Sequence, residues 1–412
     1  MFLKVKEKAQ INTKFLDGLR VIFALWVLLD HFYAYIGGEN FVHIPFGEQL
    51  LNGSIPVSGF MIITGFLMMY HYLLKQDIEL PNQSKTLYRF WLKRLFRLYP
   101  IYFIAIITAF LTVPVRDKLN VNILNYFTKS NINGYGEELI YSSNYPSIVD
   151  LFSHLTFLHG LIPQNAVSIL GPAWSLSLEM QFYLVFPFLF LIFFYKKKSM
   201  NLSVLSLLFI STVIAIIMPI LFGIYSKVGI LTTFPQPSVI LYQLPLFVYG
   251  MLLATVALKK IKWEFLILGM VSIALTQGKM TILVVLIITV LMFLEKINGR
   301  FTATKLLYNV FKKANDFLSS RGANLGANLS YSVYLLHLIL LPFVVQISIN
   351  FFSVITTNKL IIASLSLIFF LTINILVSYF LYYKIEILFI KMGKNLLRIQ
   401  NSNRNEGIKQ SS

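Results

Sequence analysis

The stretch FYLVFPFLFLIFF, residues 182–194, contains no charged or amide side chain and is followed closely by Lys196, Lys197 and Lys198. With the residues before it, this stretch forms an apolar block over 173–195. Similar blocks recur along the chain, at 17–37, 52–74, 98–115, 203–223, 238–258, 263–276, 280–295, 329–350 and 360–383. Because a helix that crosses a bilayer needs about 20 mostly apolar residues, the sequence predicts an all-α polytopic membrane protein with about ten transmembrane helices.

The composition agrees with this fold class. Of the 412 residues, 57% are hydrophobic and 13% are charged, whereas soluble domains carry about 25% charged residues. This deficit of charge excludes a water-soluble enzyme, a disordered chain and a fibrous protein. The chain has no cysteine, which excludes disulfides, thiolate metal sites, palmitoylation and a cysteinyl acyl-enzyme.

Basic residues set the predicted orientation. The net charge of +18 would indicate nucleic acid in a soluble protein, but Lys and Arg also accumulate in the cytoplasmic loops of membrane proteins. With the N-terminus inside, 28 of the 35 Lys and Arg fall on the cytoplasmic side, 6 fall outside and Arg20 lies in the first helix. This asymmetry predicts that both termini are cytoplasmic, and it explains the charge without a nucleic-acid partner.

The predicted helices divide the chain into a cytoplasmic N-terminal segment, a membrane domain and a polar cytoplasmic tail, at 1–16, 17–390 and 391–412. Two long segments interrupt the membrane domain: an external loop over 116–172, rich in Asn, Tyr and Ser, and an internal basic segment over 296–328. Residues 148–163 of the loop are apolar but too short to span, so they re-enter the membrane or lie at its surface. The loop's aromatic and amide side chains suit sugar recognition, and they equally suit a solvated loop.

The first predicted helix carries two ionisable side chains, which are costly at bilayer depth and therefore indicate function by default. Arg20 and His31 are eleven residues apart, so both lie on nearly the same helix face, roughly 16 Å apart along the axis. The predicted orientation places Arg20 near the cytoplasmic surface and His31 deeper in the membrane. Histidine is the commonest general base. The alternative is that Arg20 reaches lipid headgroups and His31 is a structural histidine.

A second basic pair precedes the third predicted helix. Arg94 and Arg97, in the segment FWLKRLFRLYP over 90–100, have the i, i+3 spacing that places both guanidinium groups on one helix face. Guanidinium forks bind phosphate in a bidentate manner. Basic residues at a cytoplasmic helix end are also ordinary positive-inside residues, so both interpretations stand.

A polar stripe follows on the fourth predicted helix. After Trp174, the residues Ser175, Glu179 and Tyr183 are spaced at i, i+4 and i+8, which places them on one helix face. A glutamate at that depth needs a cation or a proton. Arg20 or an arginine before the third helix is the natural partner, and such a pair also suits a purely structural role.

Two weaker polar groups occur on other helices. Tyr334 and His337 are i, i+3 neighbours near the cytoplasmic start of the ninth helix, and Thr64 precedes Gly65 on the second helix, where glycine permits close helix approach. The other histidines lie in loops or at helix ends without the spacing of a helical metal pair: His43, His71, His154 and His159. The sequence predicts no metal site.

Together, these residues resemble the acyltransferase-3 family of integral-membrane O-acyltransferases, whose signature is an Arg, ten residues and then a His. Five blocks are similar to that family's motifs and stand in the same order: LDGLR (16–20) with His31, ITGF (63–66), RLFR (94–97), WSLSLEMQFY (174–183) and SYSVYLLH (330–337). Thr64 stands where the family usually has serine, which keeps the hydroxyl. Asp30 beside His31 is unusual for the family, and it lies about 100° around the helix from His31.

The resemblance implies acyl-CoA, commonly acetyl-CoA, as the cytoplasmic co-substrate and a hydroxyl of a cell-surface glycan or glycolipid as the acceptor, without a bound cofactor. The residues fit that assignment. We expect His31 and Glu179 as catalytic residues: His31 removes the proton of the acceptor hydroxyl, directly or after relay, and Glu179 holds an arginine or orients His31. We expect the phosphates of the donor to lie against three arginines, Arg20, Arg94 and Arg97. Supporting roles fall to Asp17, Thr64, Trp174, Ser175, Tyr183, Tyr334 and His337. We expect a stand-alone protein without a fused hydrolase-like domain, in the cytoplasmic membrane of a bacterium.

Two other functions fit the same pattern. A transporter or flippase of an acyl group or glycolipid would also combine about ten helices with buried polar residues. A glycan polymerase or ligase would also have many helices and a long external loop. Only an acyltransferase releases free CoA from acyl-CoA, so consumption of the donor distinguishes it from both.

Overall fold

The computed structural model describes residues 13–44, 47, 51–128, 145–162, 164–227, 238–294 and 302–397. These residues form helices and turns, with no β-strand among them. The α-helices are, in chain order, α1 (Phe15–Tyr35), α2 (Ser54–Lys75), α3 (Ser84–Thr128), α4 (Ile148–Leu155), α5 (Ala173–Phe193), α6 (Met200–Lys227), α7 (Ile240–Ala257), α8 (Phe265–Thr276), α9 (Lys279–Met292), α10 (Thr302–Leu318), α11 (Arg321–Phe352) and α12 (Lys359–Leu381).

Within the described residues, seven helical segments are long and apolar enough to cross a membrane, which confirms the all-α membrane fold. They are α2, α3, α5, the first part of α6, α7, α11 and α12 with its continuation to Leu397. The helices α8 and α9 are apolar but shorter, and Gln277 and Gly278 connect them. The charged α1 is not among the seven. The count of ten spanning helices and the cytoplasmic position of both termini stay predictions.

Several helices extend beyond their apolar centres. The predicted third helix, 98–115, is the middle of α3, whose 45 residues reach about 68 Å. The first part of the predicted external loop, to Thr128, is therefore helical. After α12, a π-helical turn over Tyr382–Glu386 leads into further helix that ends at Leu397, inside the predicted tail. An apolar window misses such ends because backbone hydrogen bonding continues where the side chains become polar.

The chain forms two compact units, and α1 and α11 contribute to both. The first unit comprises Met1–His31, Pro45–Glu79 and Trp174–Ser330, and the second comprises Phe32–Ile44, Leu80–Ala173 and Tyr331–Ser412. The candidate site residues are divided between the two units. Arg20, His31, Thr64 and Glu179 belong to the first unit, whereas Arg94, Arg97, Tyr334 and His337 belong to the second.

The first unit is centred on α7, which is buried on almost all sides, as an apolar helix inside a core should be. Its closest partner is α2, and each helix contributes a glycine to the crossing. A Cβ atom on Gly65 would meet the backbone of Phe247, and one on Gly250 would meet the backbone of Ile62 and Phe66. The prediction that Gly65 permits close helix approach is confirmed, and this packing fixes the position of Thr64.

The second unit is built around α3, the later part of α11 and α12. The Tyr331 hydroxyl on α11 donates a hydrogen bond to the Leu98 carbonyl on α3, at 2.8 Å. The Asn374 amide on α12 donates to the Val333 carbonyl on α11, at 3.3 Å. Such polar bridges suit membrane helices, where packing and hydrogen bonds replace much of the hydrophobic driving force.

Candidate active site

Glu179 on α5 is the centre of a polar group in the first unit. Its carboxylate oxygen Oε1 accepts a hydrogen bond from the Thr64 hydroxyl on α2, at 3.3 Å. The same oxygen accepts a short hydrogen bond from the Tyr183 hydroxyl, one helical turn further along α5. The predicted stripe therefore places Glu179 beside Tyr183, and the fold adds Thr64. Both hydroxyls therefore donate to one carboxylate oxygen, which links α2 to α5 at this point.

Two of the expected supporting residues lie at the beginning of α5. Trp174 is buried, and Ser175 is partly exposed. Gln181, which the sequence analysis did not select, joins α5 to the start of α7. Its Oε1 accepts from the Ile240 backbone N–H at 2.9 Å, and its Nε2 donates to the Ser238 carbonyl at 2.9 Å. The signal that could have found it is an amide inside an apolar segment, which is costly in a membrane unless it is hydrogen-bonded.

The beginning of α1 is held in place by Asp17 and Gly18. The Asp17 carboxylate accepts a hydrogen bond from the Asn324 amide on α11, at 3.2 Å. Gly18 lies against the backbone of Leu318 at the end of α10, where a Cβ atom would not fit. Arg20 and His31 follow on the same helix, each partly exposed. The LDGLR motif thus combines two residues that dock the helix with an arginine that can take part in binding.

Asp30, the unusual neighbour of His31, binds α2 instead of joining the predicted stripe. Its carboxylate accepts a hydrogen bond from the Gly53 backbone N–H, at 3.0 Å, and Gly53 is the N-cap of α2. A carboxylate at a helix N-terminus satisfies a free N–H group and interacts favourably with the helix dipole. This bond fixes α1 against α2 beside His31.

Arg97, one of the two arginines before the apolar part of α3, and a buried acid both interact with one tyrosine of the second unit. Arg97 is exposed and Arg94 partly buried, with its guanidinium 5.1 Å from the centre of the Phe90 ring. The Tyr382 hydroxyl interacts electrostatically with both Arg97 and Glu386. Glu386, only 3% exposed, ends the π-helical turn. A nearly buried glutamate requires a cation or a proton, so Glu386 is a functional candidate that the sequence analysis missed.

Tyr334 and His337 lie on the buried side of α11 in the second unit. The Tyr334 hydroxyl donates to the Pro172 carbonyl at 3.3 Å, which ties α11 to the turn before α5. His337 is fully buried, and its Nδ1 makes a short hydrogen bond to the Tyr334 carbonyl. Because a carbonyl can only accept, Nδ1 donates the proton of this hydrogen bond.

The segment after residue 144 contains a histidine pair that the sequence spacing did not reveal. His154 on α4 and His159 on the following 3₁₀ turn stack with their ring centres 4.1 Å apart and the planes 8° from parallel. Both are fully buried. The Tyr102 hydroxyl on α3 donates to the His154 carbonyl at 2.8 Å. A left-handed backbone at Phe157, φ 61°, reverses the chain between them, which sequence spacing cannot predict.

Burial keeps both of these histidines neutral. Desolvation lowers the pKa of His154 to about 3, with the nearby His159 as a smaller cause. Desolvation likewise lowers the pKa of His159 to about 4, against a smaller opposing effect of the Ala173 and Ser153 backbone. Among the described residues, no group of three His, Cys, Asp or Glu side chains could hold a metal ion. The two stacked rings pack against each other inside this segment.

Comparison with protein families gives one match over nearly the whole chain. Residues 13–383 match the model of the family described as acyltransferase domain. The match includes every candidate residue named above except Glu386, which lies just beyond it. No solved structure matches the chain.

Three curated proteins are similar to parts of the chain, each at 26% identity. The regulator of hypoxia-inducible factor 1 of Caenorhabditis elegans aligns with 47% of this chain, and nose resistant to fluoxetine protein 6 of the same organism aligns with 58%. The O-acetyltransferase OatA of Staphylococcus aureus aligns with 49%. The alignments span 37, 29 and 28% of those three proteins, respectively.

Proposed function

Because this chain belongs to the acyltransferase family whose model it matches over residues 13–383, we propose that it is a membrane O-acyltransferase. It moves an acyl group, expected to be acetyl, from cytoplasmic acyl-CoA to a hydroxyl of a cell-surface glycan or glycolipid. The expected location is the cytoplasmic membrane of a bacterium. The similarity to a protein named as an O-acetyltransferase supports the reaction class.

One observation carries the proposal: α1 presents Arg20 and His31 on one helix, nearly on the same face and roughly 16 Å apart. A guanidinium binds the phosphates of CoA, and Arg94 and Arg97, before the apolar part of α3, have side chains of the same chemistry. The imidazole of His31 supplies a base further along α1. The hydrogen bond between Asp30 and Gly53 holds the helix beside His31.

In the proposed reaction, His31 takes the proton of the acceptor hydroxyl as its oxygen attacks the thioester carbonyl. The new C–O ester bond forms and the C–S bond breaks, and CoA leaves as a thiolate. The proton passes from His31 to that thiolate, so the products are the ester and free CoA. General base catalysis of this kind contributes about 10²–10⁴-fold to the rate. In this proposal Glu179, which accepts hydrogen bonds from Thr64 and Tyr183, holds an arginine or orients His31.

The experiment is CoA release by the purified protein in detergent, with acetyl-CoA and a membrane glycan extract. We expect release by the wild type and a loss of at least about 100-fold in His31→Ala, with a smaller loss in Arg20→Ala. His43→Ala, whose side chain is 73% exposed, and Arg321→Ala are the matched controls and should retain activity. Full activity of His31→Ala would exclude the proposed base. Absence of CoA release from the wild type would favour the transporter or flippase.

A further inference from the structure

The described side chains of helix α10 form three faces, and the first of these packs against the protein. Leu318 is buried, and Phe311 and Tyr308 are partly buried, so these side chains mark the packed face. The end of this face is anchored where the Leu318 backbone lies against Gly18 of α1. This contact is within the first unit, and it fixes the rotation of α10 about its own axis.

The second face of α10 is apolar and exposed. Val310 is 58% exposed and Phe317 71% exposed, and their seven-residue separation places them within about 20° of each other around the helix. A phenylalanine exposed to this degree is costly in water. Val310 and Phe317 therefore form an apolar surface that the described residues leave exposed.

The third face is basic. Lys305, Lys312 and Lys313 are all exposed, and at 100° per residue they fall within an arc of about 100°. Asp316 is the one acid on that arc, so the face keeps a net positive charge. Lys313 is about 40° from Phe317, which makes the basic face adjoin the exposed apolar face.

The position of α10 along the chain indicates that the helix lies near the membrane. The preceding apolar helix α9 ends at Met292, and the following membrane-spanning candidate α11 begins at Arg321, three residues after α10 ends. A helix that connects two such segments remains close to the membrane surface. Apolar side chains beside lysines are the pattern by which helices lie at the surface of anionic bilayers.

We propose that α10 is an interfacial helix that binds the anionic surface of the membrane containing the protein. Val310 and Phe317 enter the boundary between headgroups and acyl chains, and the three lysines contact anionic headgroups. The helix thereby fixes the connection between α9 and α11, and with it the contact that holds Gly18 of α1.

The absence of cysteine from the chain allows a direct test in the full-length protein. Single cysteines are introduced on the apolar face as Phe317→Cys and Val310→Cys. The control is Asn309→Cys, on the basic face. Each cysteine is labelled with bimane. The proteins are placed in nanodiscs of zwitterionic lipid, with or without anionic lipid. Quenching is measured with aqueous iodide and with lipids that carry nitroxide.

We expect the labels at 310 and 317 to be several-fold less accessible to iodide than the label at 309, and to be quenched by nitroxide lipid. Anionic lipid should increase this difference. The increase should be absent in a triple variant that carries Lys305→Gln, Lys312→Gln and Lys313→Gln. Equal iodide quenching at all three positions in both lipids would overturn the proposal. Protection that is unaffected by anionic lipid would overturn it as well. If protection rises with protein concentration and Phe317→Cys crosslinks two protein molecules, the apolar face binds a second copy of the chain, which would also overturn the proposal.

Discussion

Thr64 on α2 donates a hydrogen bond of 3.3 Å to the carboxylate of Glu179 on α5, across 115 positions of sequence. Tyr183 donates to the same oxygen, so two hydroxyl groups hold this carboxylate in position. The bond also relates two of the sequence blocks, because Thr64 belongs to the ITGF block and Glu179 to the WSLSLEMQFY block. These two blocks therefore contribute side chains to one hydrogen-bonded group.

Removal of the Thr64 hydroxyl should weaken catalysis without unfolding the protein. Thr64→Val keeps the shape of the side chain but loses a hydrogen bond to a charged group, which is worth about 1.5–3 kcal/mol. We expect about a tenfold or greater loss of kcat in CoA release. Thr64→Ser retains the hydroxyl and should remain close to wild type. Equal losses in both variants would show that the methyl group, and not the hydrogen bond, is required.

The glycine crossing of α2 and α7 should tolerate no side chain. In Gly65→Ala or Gly250→Ala, the new methyl group meets the backbone of the other helix, and overpacking of this kind costs about 1–3 kcal/mol. We expect a lower midpoint of thermal unfolding in detergent for each variant. Gly278→Ala is the matched control, since nothing lies within 4 Å of its Cβ position. An unchanged midpoint for Gly65→Ala would contradict the close crossing.

The stacked histidines should make the protein sensitive to acid. Burial lowers the pKa of His154 to about 3 and that of His159 to about 4, whereas an unfolded histidine titrates near about 6.5. The unfolded state therefore binds more protons between those values. The stabilisation from the neutral pair is complete above about pH 6.5 and declines as the pH falls towards about 4, by up to about 1.4 kcal/mol per pH unit for each histidine.

The measurement is the thermal midpoint in detergent at a series of pH values from neutral to acid. In His159→Phe, which keeps an aromatic ring against His154, one titrating group is removed, so the midpoint should fall less steeply. His43→Phe, at an exposed position, should fall as steeply as the wild type. Parallel curves for His159→Phe and wild type would show that the buried pair does not cause the acid sensitivity.

Glu386 should support binding of the acyl-CoA donor. Both Glu386 and Arg97 interact electrostatically with Tyr382. In the helix that follows, Gly393 packs closely against Phe96. Replacement of the carboxyl group by an amide in Glu386→Gln should leave Arg97 less well oriented. We expect the KM for acyl-CoA to rise by about tenfold, or 1.4 kcal/mol, with a smaller change in kcat. The control is Glu264→Gln, at an exposed position.

A rise in KM that is matched in Glu264→Gln would point to a general effect of surface charge. A fall in kcat at constant KM would place Glu386 in the chemical step. Restoration of KM by Glu386→Asp would support a positioning role through charge.

The sequence by itself determined the membrane class and most helix positions, because an apolar segment in a bilayer has to satisfy its own backbone hydrogen bonds as a helix. It also determined the stripe that joins Glu179 to Tyr183, since i and i+4 are neighbours on any helix. Only the tertiary structure decided that Thr64 reaches Glu179, that Asp30 binds the N-terminus of α2, and that Glu386 is buried near Arg97. These contacts join residues far apart in the chain, and their geometry depends on how the helices pack and not on local periodicity.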